Sequence, residues 1–235
     1  MIITIDGPTA SGKSTVAREL AHRVSFSYLS SGLLYRGIAY CLKTVCGYSD
    51  HKMQAPDPAD LRMCVENTDV ISHASDLHGE HLFVRGIDVT TQLKTPEMDQ
   101  YASIIAAQDY VQDALADMQR MLAYNTNAVV EGRNCGTAVF PNADVKFYLT
   151  ASVIVRAELF AQDQKKKGIT FTQEQAINHI ETRDLRDSTR QSAPLMIPED
   201  AIIIDNSGLT IDQTVEKMLD SVKNKRGDEN KKSGI

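Results

Sequence analysis

Apolar residues follow two rhythms along this chain. Short aliphatic or β-branched runs recur at Ile2-Ile3-Thr4-Ile5, Phe26-Ser27-Tyr28-Leu29, Ala128-Val129-Val130, Val145-Lys146-Phe147-Tyr148-Leu149 and Ala201-Ile202-Ile203-Ile204. Each has the length and composition of a buried strand. Between them lie stretches with apolar residues at helical spacing: 15–23 with Val16, Leu20 and Ala21, 33–43 with Leu34, Ile38 and Leu42, then 111–123, 152–167 and 172–188. A last stretch, 210–222, puts Val215, Met218, Leu219 and Val222 on one face. Helix-start signals fall in register with these patterns. Asp57-Pro58 and Thr95-Pro96 place proline at a first helical position, and Thr172 with Gln175, like Thr210 with Gln213, has capping spacing.

Strands separated by helices predict a parallel α/β sheet of five core strands, with ligands bound beyond the carboxyl ends. One region breaks the alternation. Residues 69–89 carry short β segments, Val70-Ile71 and Leu82-Phe83-Val84, with turns near His78-Gly79 and Gly86. They predict an antiparallel insertion too small for a core of its own, packed beside the main domain. After Val222 the rhythm stops, and 224–235 reads as a flexible charged tail.

Gly7-Pro8-Thr9-Ala10-Ser11-Gly12-Lys13-Ser14 links the first strand to the first helix and has the P-loop spacing. Glycines at both ends let the backbone curl, so successive N–H groups point inward at phosphate oxygens beside the positive end of the next helix, which opens with Thr15. Lys13 supplies a point charge for the β/γ-phosphates, and the Ser14 hydroxyl is a Mg²⁺ ligand. A glycine turn with a chance lysine would not come with this strand before it and this helix after it. The motif therefore implies ATP with Mg²⁺.

Composition narrows the classes. At 235 residues, 42% hydrophobic and 24% charged, the chain suits a globular protein with one core and two excursions. No apolar run approaches the roughly 20 residues of a membrane span, and the first residues read as strand rather than as a leader, so a cytoplasmic protein is expected. The four cysteines contain no Cys-x-x-Cys pair and are expected as free thiols without metal. A net charge of −6 excludes a general nucleic-acid-coating surface.

Positive charge is instead clustered. Arg183, Arg186 and Arg190 alternate with Asp184 and Asp187, and 183, 187 and 190 fall along one side of a helix. Such a run is either a solvated, salt-bridged face or a mobile lid; following a P-loop, in a helical hairpin, the lid reading is preferred. Arg133, between Gly132 and Asn134 at a strand end, reads as a phosphate contact. Arg36 lies one helical turn after Ser30-Ser31-Gly32 and points back to the same cleft. Lys165-Lys166-Lys167 ends a helix, where lysines suit the negative end of the dipole.

Together these motifs resemble the bacterial cytidylate kinases of the nucleoside monophosphate kinase superfamily. The resemblance runs from Ile3 to about Val222, on Ile-Thr-Ile-Asp-Gly-Pro (3–8), Ser31-Gly32 through Tyr35-Arg36, Gly132-Arg133 with Gly136-Thr137 and Phe140-Pro141, and Arg183 through Asp187 to Arg190. It implies a P-loop NTPase fold: a five-stranded parallel sheet flanked by helices, with a small antiparallel and helical acceptor-binding insertion and a helical lid. The core would comprise 1–32, 125–151 and 200–223, the insertion about 33–124 and the lid about 152–198. The implied reaction transfers the γ-phosphoryl of Mg·ATP to CMP or dCMP. By position Ser31, Arg36 and Arg133 would hold the acceptor phosphate, Ser103 would contact the base, and Arg183 and Asp187 would reach the sugar and phosphate. Arg190, with Lys13, Arg133 and Arg183, would act on the transferring phosphates. Asp6 would be structural or orient a Mg²⁺-bound water. Partners would be small nucleotides, and a monomer is the superfamily default.

The departures from the family pattern are specific. Asn134 stands where an aspartate is usual, Gln112 aligns with a base-reading arginine, Ser30 with an aspartate, and Leu159 and Phe160 with paired lid arginines. Arg156 and the lysine run are left to grip the donor in their place. Asparagine and glutamine can each donate or accept, so one pair of flips suits cytosine and the opposite pair suits uracil. UMP or another pyrimidine nucleotide is therefore an alternative acceptor. A non-catalytic nucleotide-binding homologue is a third reading, opposed by the retention of Lys13, Ser14, Arg36, Arg133, Arg183 and Arg190.

Overall fold

The computed structural model describes residues 1–76 and 79–232, the side chains of 76 and 226–232 excepted. Its strands are β1 (Ile2–Asp6), β2 (Ser27–Ser30), β3 (Ile71–Asp76), β4 (Gly79–Val84), β5 (Ile87–Asp88), β6 (Ala128–Gly132), β7 (Val145–Thr150) and β8 (Ile202–Asp205). The five apolar runs form one parallel sheet in the order β2-β6-β1-β7-β8. β1 lies in the middle and β6 is buried at every residue, because helices cover both faces.

The helices are α1 (Lys13–Val24), α2 (Ser31–Thr44), α3 (Pro58–Glu66), α4 (Pro96–Ile105), α5 (Asp109–Leu122), α6 (Val153–Lys166), α7 (Gln173–Thr189) and α8 (Ile211–Lys232). Alternation along β6 divides the core between the two faces. Val129 joins Ile3, Ile5, Leu20, Phe147 and Met218 in a cluster that includes residues of α1 and α8. Ala128 and Val130 belong to a second cluster with Leu34, Ile38, Ile105 and Leu115. That second cluster also takes in Ile71, Leu82 and Val84, so the three-stranded antiparallel sheet β3-β4-β5 shares the core of the helices around it. A third, small cluster of Ala157, Phe160, Ala176 and Ile180 joins α6 to α7.

Several boundaries differ from those the patterns predict. α1 begins at Lys13, two residues early, because Gly12 adopts the left-handed conformation (φ 84°) that turns the loop directly into the helix. β2 is displaced one residue, and Ser31-Gly32 is helical rather than a turn: the Ser30 side chain caps α2 by accepting from Leu33 N at 3.3 Å. The expected turn near His78-Gly79 lies partly outside the described residues. α8 runs on to Lys232 through most of the stretch read as a flexible tail; its apolar stripe ends at Val222, and no proline interrupts the helix beyond it.

Register sets the site. Ile5 lies opposite Glu131 and Asp6 opposite Gly132 in the β1-β6 pair, and Ser30 lies opposite Glu131 in β2-β6. The carboxyl ends of the three strands therefore bring the P-loop, the start of α2 and Arg133-Asn134 side by side.

Candidate active site

The P-loop is held tightly from behind. A Cβ on Gly7 would stand 2.0 Å from the Leu149 carbonyl oxygen, so only glycine lets β1 turn there against β7. Within the loop Lys13 Nζ donates to the Pro8 carbonyl at 2.6 Å and to Ser11 Oγ at 3.3 Å. Burial, helped by the charge of Arg133, brings its pKa down to about 7. Asp6, fully buried, accepts from the backbone N–H of Cys135 at 2.8 Å and Gly136 at 2.7 Å. These bonds pin a π-helical turn, Cys135–Val139, that no hydrophobic period announces. Burial raises the Asp6 pKa, against those two bonds and Lys13.

A cavity of about 440 Å³ opens between the P-loop, α2, α4, the end of β6, α6 and α7. Residues 9–15 line it, as do Ser31, Arg36, Ser103, Arg133, Asn134, Arg183, Asp187 and Arg190. Residues predicted from five separate stretches thus face one space. Gly132 is needed for this: a Cβ there would meet Cys135 Sγ at 2.6 Å and Ser31 Cβ at 3.0 Å. Arg133 Nε donates to Asp187 Oδ2 at 3.0 Å and its Nη2 to Thr9 Oγ1 at 3.2 Å, while Ser103 Oγ donates to Asp187 Oδ1 at 3.2 Å. Burial works to raise the Asp187 pKa, but Arg133, Arg183 and Arg190 outweigh it and hold the carboxyl below its ordinary value.

Three predicted residues sit elsewhere than expected. Gln112 does not line the cavity; it lies behind Asn134, whose Nδ2 donates to Gln112 Oε1 at 3.1 Å. Arg156 stands outside the cavity, with Nη1 donating to the Thr9 carbonyl at 3.0 Å and to Asp184. Asp184 in turn accepts from Thr9 N at 2.7 Å, so this pair braces the P-loop from α6 and α7. Arg190 is not on the helix face with Arg183 and Asp187: α7 ends at Thr189, and Arg190 is its extended cap, its Nε donating to the Ala193 carbonyl at 2.9 Å. At the two positions aligned with lid arginines, Leu159 is 40% exposed while Phe160 is buried. Phe160 meets Phe171 edge-on at 5.0 Å and stacks on His179 at 4.6 Å, so it joins α6 to α7.

Two carboxylates to which the sequence assigns no role line up with the site's arginines and serines. Asp99, on α4, lies 3.1 Å from Arg36 Nη1 and 3.5 Å from Arg183 Nη1. Burial opposes its ionisation, yet Arg183 and Arg36 keep its pKa low. Glu131 Oε1 accepts from Ser14 Oγ at 3.0 Å and from Ser30 Oγ at 2.6 Å. Its place just before Gly132-Arg133 at a strand end was the available signal. A serine hydroxyl and a carboxylate together are hard oxygen donors that suit Mg²⁺ beside phosphate oxygens.

A parallel sheet carrying a P-loop, faced by converging arginines, defines a P-loop phosphotransferase. A family model described as cytidylate kinase matches residues 3–224, and the chain belongs to that family. It is 36% identical to the cytidylate kinase of Halalkalibacterium halodurans over 223 residues, 95% of this chain and 97% of that one. It is 37% identical to the cytidylate kinase of Bdellovibrio bacteriovorus over 226 residues, 96% of this chain and 99% of that one. Among solved structures, an uncharacterised protein of Eubacterium ventriosum is similar in fold, with TM-score 0.51 at 13% identity, covering 95% of this chain and 98% of that one. Among the described residues no helix is long and apolar enough to cross a membrane.

Proposed function

We propose that this protein transfers the γ-phosphoryl group of ATP to CMP or dCMP, giving ADP and CDP or dCDP. The observation that carries the reading is the convergence of Lys13, Arg36, Arg133, Arg183 and Arg190 on one cavity that has the P-loop at one end. An arrangement of two sets of phosphates end to end needs positive charge at both and between them.

In this reading the P-loop N–H groups and Lys13 hold the donor β/γ-phosphates. Ser31, Arg36 and Arg133 hold the acceptor phosphate, Arg183 and Asp187 its sugar side, and Ser103 and Asn134 face the base. An ionised oxygen of the acceptor phosphate attacks the γ-phosphorus in line, and the bond to the β-γ bridging oxygen breaks, leaving ADP. The attacking oxygen carries no proton to remove, so no general base is required. Asp6 does not fill that role, since its two oxygens already take backbone N–H groups. Arg133, Arg183 and Arg190 neutralise the charge on the transferring group, an effect worth roughly 10³ to 10⁵ in rate in related chemistry. Mg²⁺ would be held by the Ser14 hydroxyl with Glu131 behind it, and would shield the phosphate charge.

ADP release from Mg·ATP, with CMP, dCMP, UMP, AMP and GMP offered separately, tests the reading. Rapid turnover with CMP or dCMP and little with the purines is expected. Turnover with none of the five, alongside clear ATP binding, would favour a non-catalytic role.

A further inference from the structure

Gln112 does not reach the cavity, yet its amide decides what Asn134 offers there. The hydrogen bonds have a direction. The Ala106 carbonyl can only accept, so the Gln112 atom 2.6 Å from it is the nitrogen, Nε2. That leaves Gln112 Oε1 on the opposite side, where it takes the Tyr35 hydroxyl at 2.6 Å and Asn134 Nδ2 at 3.1 Å. An amide oxygen accepts and cannot donate, so Asn134 must turn its own nitrogen toward it. The Asn134 atom left over is Oδ1, and Asn134 is a wall residue of the cavity.

The order does not reverse easily. Tyr35, Gln112 and Asn134 are 7%, 4% and 3% exposed, so water has little access to the bonds that join them. Burial also raises the Tyr35 pKa, which keeps its hydroxyl a donor. Two amides considered alone can flip in concert, but here the first is tied to a main-chain carbonyl that cannot flip. Turning Gln112 would set its oxygen against the Ala106 oxygen and its nitrogen against the Asn134 nitrogen.

We propose that the Ala106 carbonyl and Tyr35 lock Gln112, and Gln112 locks Asn134, so that the cavity presents a hydrogen-bond acceptor to the acceptor base. This rests on the acceptor site assigned above. A pyrimidine with an exocyclic amino group at ring position 4 donates to that oxygen; one with a carbonyl there meets it acceptor to acceptor. The site therefore takes cytosine and rejects uracil through Asn134, with Gln112 a positioning residue that never touches the base. Rejection by an unpaired buried polar group is stronger than rejection by shape, and a preference of about 100-fold or more in kcat/KM is expected.

The relay also makes residues 112 and 134 interdependent. An aspartate at 134 presents only acceptors, and one would face Gln112 Oε1. Asn134→Asp alone is therefore expected to lower kcat/KM for CMP by about tenfold or more, and adding Gln112→Arg, which supplies donors, to restore most of it.

The experiment measures kcat and KM for CMP and for UMP on the wild type, Gln112→Leu, Gln112→Glu, Asn134→Asp and Gln112→Arg/Asn134→Asp. Gln112→Leu frees the Asn134 amide, and the CMP-to-UMP ratio should fall to within about tenfold, chiefly through a lower KM for UMP. Gln112→Glu still offers an oxygen to Asn134, so it should keep the wild-type ratio even where overall activity drops. The relay is overturned if Gln112→Leu keeps the wild-type ratio, or if Gln112→Glu collapses it equally. Should Gln112→Leu fail to fold, the 112/134 cycle decides: a single Asn134→Asp as good as the double variant overturns the relay. A wild type that uses CMP and UMP within threefold overturns the relay and leaves the kinase reading standing. A wild type that phosphorylates neither removes the kinase reading and the relay with it.

Discussion

Asp99 and Arg36, 63 positions apart in the chain, meet at 3.1 Å between Asp99 Oδ1 and Arg36 Nη1. Arg183 comes within 3.5 Å of the same oxygen, so one carboxylate separates two guanidinium groups that would otherwise repel. In the proposed reading an acceptor phosphate would supply negative charge beside the same arginines, and its binding should therefore be coupled to Asp99.

Asp99→Asn leaves Arg36 without its carboxylate and Arg183 with only the more distant Asp187, at 4.0 Å. Loss of about 1–3 kcal/mol is expected, short of the full cost of breaking a fully buried pair because Asp99 is partly exposed. For a chain of this size that lowers Tm by roughly 2–12 °C. Bound phosphate replaces part of the missing charge, so saturating CMP should raise Tm more in the variant than in the wild type. Thermal unfolding with and without CMP checks this; an equal CMP shift in both proteins would show that Asp99 and the ligand do not share the arginines.

Lys13 makes donor binding depend on pH. Its pKa near 7 in the free site comes from burial and Arg133, and bound phosphates would raise it. Below pH 7 the ammonium is charged in both states and affinity should be flat. Above pH 7 the free site has lost a proton that binding must restore, so affinity falls with rising pH, by up to about tenfold per unit. Calorimetry of ATP binding at pH 8 in two buffers of different ionisation enthalpy should show uptake approaching one proton. Zero uptake there would mean that Lys13 stays charged in the free protein.

Glu131 receives two serine hydroxyls on one oxygen, Ser14 at 3.0 Å and Ser30 at 2.6 Å. Glu131→Gln removes the charge and half of the acceptor capacity, leaving the Ser14 hydroxyl less well aimed. The Mg²⁺ concentration for half-maximal rate should rise about 10- to 100-fold, as for other groups that orient a metal ligand. A Mg²⁺ titration at saturating CMP and ATP measures it, and an unchanged midpoint would leave Glu131 a structural role only.

Gly132→Ala would drive a methyl to 2.6 Å from Cys135 Sγ and 3.0 Å from Ser31 Cβ. Overpacking of this kind costs about 1–3 kcal/mol, and the shift would move Arg133 off Asp187. Lower Tm together with at least a tenfold loss of kcat is expected. Cys135→Ala in the same chain removes the nearer contact and should recover most of the Tm; its failure to do so would place the strain at Ser31.

What the chain declared by itself was local. A buried strand and an amphipathic helix each write their period into ten or so consecutive residues, and the P-loop writes its backbone curl into eight, so the parallel sheet, the helical hairpin and residues 7–14 were all legible. Arg36, Arg133 and Arg183 were legible too, because Arg133 directly follows a strand end, Arg36 lies one helical turn past Gly32, and Arg183 stands in a recognisable charge run. Three things depended on the tertiary structure. Asp99 entered the site because α4 packs against α2 and α7, Glu131 because the register of β2 against β6 places it under Ser30, and Gln112 withdrew behind Asn134 because it bonds the Ala106 carbonyl at the break between α4 and α5. The first two partnerships join residues 63 and 101 positions apart, and the third turns on a bond across six. No period or motif encodes them, since they are set by which surfaces pack together and by which buried polar atom has only one way to be satisfied.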